Sequence, residues 1–177
     1  MRSLLSPGST HLSDRDLAAL YEFPTHRDTW VRAIFVSSAD GAAQGADQAS
    51  ASLSSPGDRR VFALQRSLCD VVLVGAGTAR VEGYRPVQAS EVDDTVRRRL
   101  GLAPVPTIAV VSRSLSLDAG LFEAAQATTI VVTTTDAPEP AAAAIGARAH
   151  LLRAGSGDVD IAEALGELAR LGHRRVL

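Results

Sequence analysis

The residues best suited to meet a phosphate group are Gly75-Ala-Gly77-Thr78, which directly follow the apolar run Val71–Val74. Two glycines let backbone amides come close to a ligand, Thr78 adds a hydroxyl, and a helix starting there favours an anion. The same tetrapeptide also makes an ordinary tight turn, and it lacks the third glycine of a dinucleotide fingerprint. Ser112 and Arg113 end a second apolar run, Thr107–Val111, where an arginine and a hydroxyl either hold a nucleotide phosphate or face solvent. Thr133, Thr134 and Thr135 close a third run, as ligand contacts or as terminators of the backbone ladder. Two carboxylates stand nearby in sequence. Asp40 can orient a substrate ring or relay a proton, although Asp40-Gly41 is equally a turn dipeptide. Glu82, about one helical turn past Thr78, has the same two readings.

Other chemistries find no support. His11, His26, His150 and His173 have no metal-ligand spacing, so no metal is expected, and no Ser/His/Asp or Cys/His arrangement can be drawn. The single Cys69 lies in an apolar run and reads as a buried, inert thiol. Hydride transfer needs neither a metal nor a protein nucleophile, because the cofactor carries the chemistry and the protein supplies position and electrostatics.

The elements that must position these residues can be read from the pattern. Asp14–Tyr21 forms a short helix with Ser13 as its cap and with Leu17, Leu20 and Tyr21 on one face. Trp30–Val36 is a strand that ends in the turn Ser37–Gly41, and the small, polar stretch 41–55 is a loop of the kind that covers a site. A helix opens at Pro56-Gly57-Asp58, with Val61, Phe62, Leu64 and Leu68 inward. Strands follow at Val71–Val74, Thr107–Val111 and Thr129–Thr133, with helices at Pro140–Ala147 and Ile161–Leu171. This alternation predicts an α/β fold with a mostly parallel sheet covered on both faces. Residues 1–29 read as an extension packed on a domain that spans 30–177. Arg174–Leu177 starts another buried strand; cutting such a strand short leaves apolar surface and backbone groups exposed, so the chain is expected to be truncated.

Composition narrows the function further. The 177 residues carry 46% hydrophobic side chains, enough for one domain with a real core, and the net charge is −2. All the basic residues are arginines. The cluster Arg97, Arg98, Arg99 follows Glu91, Asp93 and Asp94 and reads as the surface of a solvated helix. With aromatics at 4%, there is little for base stacking, so nucleic acid is not the expected partner. No membrane-length apolar run and no export signal stand out, and a cytoplasmic location is the expectation.

Taken together, Ser38-Ala-Asp40-Gly41, Ser50 to Pro56, Leu64-Gln-Arg66 to Cys69-Asp70 and Val74-Gly-Ala-Gly-Thr78 resemble the reductase domain of bifunctional riboflavin-biosynthesis proteins. The resemblance is tight from Asp40 to Glu82 and looser over 30–177. It implies a dihydrofolate-reductase-like, three-layer fold, NADPH as cofactor, and reduction of the ribosyl group of a phosphoribosylamino-pyrimidine to a ribityl chain. It further implies that Ser50 and Arg66 face the substrate, with Asp40 as the turn acid of the first strand. Ser52, Gly75, Gly77 and Thr78 would line the cofactor, Glu82 would stand near the nicotinamide, and Ser112 with Arg113 would meet the adenosine phosphate. Asp40 and Glu82 are thus the two catalytic candidates.

The departures from the family pattern carry information too. The usual lysine of the first strand is absent, and the arginine that helps to hold the substrate phosphate is matched by Ala89, with Arg85 as a possible substitute. A pterin such as dihydrofolate therefore competes as substrate, and a non-catalytic nucleotide-binding fragment is the reading from another class. The family's Glu-Gly-Gly loop and closing C-terminal strands are expected to be missing. Relatives form dimers, so a homodimer is an open expectation.

Overall fold

A computed structural model describes residues 11–26, 28–46, 48–123 and 126–177. Helix α1, Asp14–Leu20, begins at a reciprocal cap: Ser13 Oγ accepts from the Asp16 amide at 3.2 Å, and the Asp16 carboxylate accepts from the Ser13 amide at 2.9 Å. Leu17 and Ala18 are buried, whereas Leu20, expected on the same face, is 64% exposed. Its neighbour Arg32 fastens this segment to the domain. One arm donates to the Tyr21 carbonyl at 2.7 Å and to Gln65 Oε1 at 2.6 Å, with the guanidinium 4.1 Å from the Phe23 ring centre.

Strand β1 is shorter than the apolar run predicts. Only Trp30–Val31 pairs in the sheet, because its partner β6, Arg175–Val176, meets it at two positions. Past the bond from the Arg32 amide to the Val176 carbonyl the chain leaves the ladder, and Phe35 is 84% exposed. Helix α2, Pro56–Leu68, has proline in its first turn and Ser55 as its cap, the hydroxyl accepting from the Asp58 amide at 3.1 Å.

The remaining strands are β2 (Val71–Gly75), β3 (Thr107–Val111), β4 (Ile130–Thr133) and β5 (His150–Arg153). The helices between them are α3 (Ala76–Val81), α4 (Asp94–Arg99), α5 (Glu139–Gly146) and α6 (Ile161–Arg170). The sheet order is β1-β6-β2-β3-β4-β5, and every pairing is parallel. Strand β5 escapes the sequence pattern because His150-Leu-Leu-Arg153 has only two apolar residues between charged or polar ends.

Side chains alternate across the strands and build a core on each face. Val72, Val74, Ile108 and Val110 pack with Leu64 and Leu68 of α2 and with Leu17, Ala18 and Phe23. Val131 extends this face against Ala142 and Ile145 of α5. On the opposite face Val71, Ala109, Ile130, Val132 and Val176 pack against Ala164 and Leu168 of α6. Each fully buried valine or leucine stabilises the fold by roughly 1.5–3 kcal/mol, which makes these two layers the main source of cohesion.

The triple arginine of α4 is not a uniform solvated face. Arg98 and Arg99 reach Asp94 and Glu22 on the surface, but Arg97 is only 1% exposed. It has turned inward toward the carbonyls at the end of α2. Arg97 donates to the carbonyls of Arg66, Ser67 and Cys69 at 3.0–3.3 Å and to that of Ala103 at 2.6 Å. Cys69 beside it is buried, and burial pushes its thiol up to about 12, which keeps it neutral.

Removing the Arg97 side chain should leave buried carbonyls unpaired. Arg97→Ala is expected to lower unfolding free energy by about 3 kcal/mol, read from the shift in a urea denaturation midpoint. His173, half-buried ahead of β6, is pulled below its ordinary pKa of 6.5 by burial, which outweighs the attraction of Asp70. Its neutral form is favoured in the fold, so it contributes stability above pH 6.5 that is lost as the pH falls. His173→Gln should therefore flatten the loss of urea resistance on acidification.

Candidate active site

The strands run in parallel, so their carboxyl ends share one rim, where open α/β sheets bind ligands. At the β1–β2 part of that rim lies a cleft of about 1110 Å³. One wall is the irregular stretch Ile34–Val36; another is the turn-rich loop carrying Ser50, Ser52 and Ser54. Helix α2 contributes Asp58, Arg59, Phe62 and Arg66, and α3 with the residues after it contributes Gly77, Thr78, Glu82, Tyr84, Arg85 and Glu91.

Six residues singled out from sequence thus meet in one place: Ser50, Ser52, Arg66, Gly77, Thr78 and Glu82. Glu82 follows α3 directly, and its Oε1 accepts from the Ser50 amide at 2.7 Å, which ties the loop to the helix. The Ser52 hydroxyl donates to the Ala49 carbonyl at 3.3 Å.

Neither Gly75 nor Gly77 has a positive φ, and a Cβ built on either meets no atom within 4 Å. The fold itself therefore does not demand glycine at these positions. What their bare backbone provides is room on the solvent side, the condition a pyrophosphate needs to approach main-chain amides.

Arg66 is held more firmly than its neighbours. It lies one helical turn after Phe62, and its guanidinium sits 4.5 Å from the Phe62 ring centre and 5.5 Å from that of Tyr84. The side chain is 16% exposed, and its buried Nε has no hydrogen-bond partner. Glu91 Oε1 lies 3.7 Å from Arg66 Nη1, while Glu91 Oε2 accepts from Arg85 Nη1 at 2.9 Å and from the Gln88 amide at 2.8 Å. Burial pushes the Glu91 carboxyl up, but the Gln88 amide, Arg85 and Arg66 outweigh it and hold the group below its ordinary value.

The other predicted residues fall outside the cleft lining. Asp40 is exposed at the Ser38–Ala42 turn, where Gly41 has φ +88°. The Ser38 hydroxyl, followed by the amides of Asp40 and Ala42, holds its carboxyl below the usual range. Ser112 and Arg113 stand farther along the rim, past β3. Ser112 is buried with no partner for its hydroxyl, and so is Thr133 at the end of β4. Arg113 is largely exposed, with Nη1 3.7 Å from Asp158.

Sequence reasoning put Phe62 in the core; it faces the cleft instead, because Leu64, Gln65 and Leu68 take the buried side of α2. The four-residue spacing of Phe62 and Arg66 was the available signal. Glu91 was missed as a site residue: the pattern Gln88-x-x-Glu91 marks a capping box but not the direction it faces. Among the described residues, no cluster of His, Cys, Asp or Glu could hold a metal, and no helix is long and apolar enough to cross a membrane.

Comparison with known proteins bears on the fold and the family. Among curated proteins none matches the sequence. A pyrimidine reductase-like protein from Corynebacterium diphtheriae shares the fold at a TM-score of 0.66 and 21% identity, over 80% of this chain and 61% of the other. A diaminohydroxyphosphoribosylaminopyrimidine deaminase/5-amino-6-(5-phosphoribosylamino)uracil reductase from Thermotoga maritima matches at a TM-score of 0.56 and 21% identity, over 81% of this chain and 36% of the other. The chain thus spans well under two thirds of the length of either relative. The expected α/β, dihydrofolate-reductase-like fold is the one it shares with them. The model of the RibD C-terminal domain matches residues 29–177, and with that match over most of its length the chain belongs to the RibD C-terminal domain family.

Proposed function

We propose that residues 30–177 form the reductase domain of an NADPH-dependent enzyme of the riboflavin pathway, reducing the ribosyl group of a phosphoribosylamino-pyrimidine to its ribityl form, with residues 1–29 as an extension. The observation that carries this reading is the convergence of Ser50, Ser52, Arg66, Gly77, Thr78 and Glu82 on one cleft at the carboxyl rim. These are six of the ten residues that the family resemblance assigns to the site; Asp40, Gly75, Ser112 and Arg113 lie outside the cleft lining.

The residues fit a nicotinamide dinucleotide. Bare backbone at Gly75 and Gly77 and the Thr78 hydroxyl would take the pyrophosphate. Ser112, with its orphaned hydroxyl, and the solvent-facing Arg113 would meet the adenosine phosphate farther along the rim. When bound, the reduced nicotinamide supplies a hydride. The protein's own part is to position and to exclude water. Ser50 and Glu82 hold the loop against α3, Arg66 would present a fixed cation to the substrate, and Glu82 would offer a carboxylate on the nicotinamide side of the cleft. Asp40, held ionised, shapes the turn that leads into the cleft-lining residues Ala43 and Gln44 and is the second candidate for orienting the substrate.

A pterin substrate is the second reading. It is favoured by the acidic residues of the cleft: Asp58, Glu82 and Glu91 balance Arg59, Arg66 and Arg85, so no surplus of positive charge awaits a phosphate.

Two measurements test the proposal. An NADPH oxidation assay with the full-length protein, run in parallel on the phosphoribosylamino-pyrimidine and on dihydrofolate, should show turnover on the former; turnover on dihydrofolate alone selects the second reading, and none on either removes both. Gly77→Ala separates ligand from fold. A Cβ there meets nothing and the position is helical, so stability should be unchanged or rise by about 0.5–1 kcal/mol, while NADPH affinity drops about tenfold or more. Undiminished NADPH affinity in a fluorescence titration would remove Gly77 from the cofactor site.

A further inference from the structure

The arginines that face the cleft are not equally free to act. Arg59 donates to the Ser54 carbonyl at 3.1 Å and so serves its own loop. Arg66 and Arg85 instead share one carboxylate, that of Glu91. Arg85 approaches it through two nitrogens, at 2.9 and 3.5 Å, and Arg66 approaches Oε1 at 3.7 Å. This is the geometry in which paired guanidinium groups take a phosphate, with a protein carboxylate in the ligand's place.

The three partners differ in how they are anchored. Arg66 lies over the rings of Phe62 and Tyr84, at 4.5 and 5.5 Å from their centres, and cannot swing away without losing both. Glu91 is fixed from behind by the Gln88 amide, at 2.8 Å. Arg85 is half-exposed and has no ring packed over it among the described residues. A phosphate monoester entering here meets two cations already neutralised in part and one negative charge within the same contact distance.

We propose that Glu91 is a specificity-determining residue of this cleft: its carboxylate fills the seat that Arg66 and Arg85 would otherwise offer to a phosphate monoester, and so holds down the affinity for phosphorylated ligands. The proposal rests on the reading above that the cleft is the substrate site, and bears on how tightly that site holds a phosphorylated substrate against an unphosphorylated one. A glutamine at position 91 keeps the volume and the acceptor for the Gln88 amide and removes only the charge. Two like charges in contact near a protein surface repel strongly enough to matter for binding even after screening by salt.

The test uses D-ribose 5-phosphate as the probe and D-ribose as its uncharged control, titrated calorimetrically into the wild-type protein, Glu91→Gln, Arg85→Ala and the double variant. Glu91→Gln should bind ribose 5-phosphate about tenfold more tightly than wild type, with ribose unaffected. In the double variant the gain should disappear, because the second cation of the seat has gone. The proposal is overturned if Glu91→Gln binds the phosphate no more tightly, if ribose gains equally, or if the gain survives loss of Arg85. Should Glu91→Gln fail to fold, Arg85→Ala alone decides: its affinity for ribose 5-phosphate must fall below that of wild type, and unchanged affinity sinks the idea. NADPH binding, followed on the same samples, keeps the two readings apart. Wild-type protein that takes no NADPH counts against the reductase, whereas the charge dependence of phosphate binding stands or falls by itself.

Discussion

Asp70 is the contact on which the arrangement of the cleft depends. It stands at the start of β2, and its Oδ2 accepts from the amides of Arg174 and Arg175 at 3.1 and 2.7 Å. The same carboxylate pairs with the Arg175 guanidinium through Oδ1 and Oδ2, each at 3.1 Å. Its main chain reaches both ways: the amide donates to the Arg175 carbonyl, and the carbonyl accepts from Thr107. One residue therefore fixes β6 and β3 on either side of β2. Residues in a strand alternate between faces, so a slip of one position in β6 would carry Val176 out of the core. Among the described residues strand β1 is held in the sheet only through β6, and the cleft wall that follows β1 inherits its position from the same carboxylate.

Upon that frame the chain divides its tasks between backbone and side chains. At Gly75 and Gly77 the backbone is left bare although neither packing nor φ requires it. Side chains act at Arg66, Arg85 and Glu91, where two aromatic rings, a capping amide and three charges settle the local electrostatics. Arg97 shows the same physics turned to structure: the buried cation donates through Nε and Nη1 to carbonyls at the end of α2 and at Ala103. By holding the end of α2, Arg97 also holds the helix that presents Arg66 to the cleft.

The apolar runs at residues 71–74, 107–111 and 129–133, the cap at Ser13, the helix start at Pro56 and the helices near residues 140 and 161 were legible in the sequence because each is a local pattern. Period, cap and turn chemistry act within a few residues, and together with the segment from Asp40 to Thr78 they determined fold class and family and named six of the residues that line the cleft. What only the tertiary structure decided depends on partners far away in the chain. Trp30–Val36 has the composition of a strand, but a strand needs a neighbour, and β6 meets it at two positions. Phe62 has the hydrophobicity of a core residue, yet the sheet lies on the other side of its helix. Arg97 and Arg98 are adjacent residues of one type with opposite fates, set by carbonyls at the end of another helix. That Glu91 would stand between two arginines could not be read from charge spacing, because hydrogen-bond and ion-pair geometry is a property of side chains converging in space.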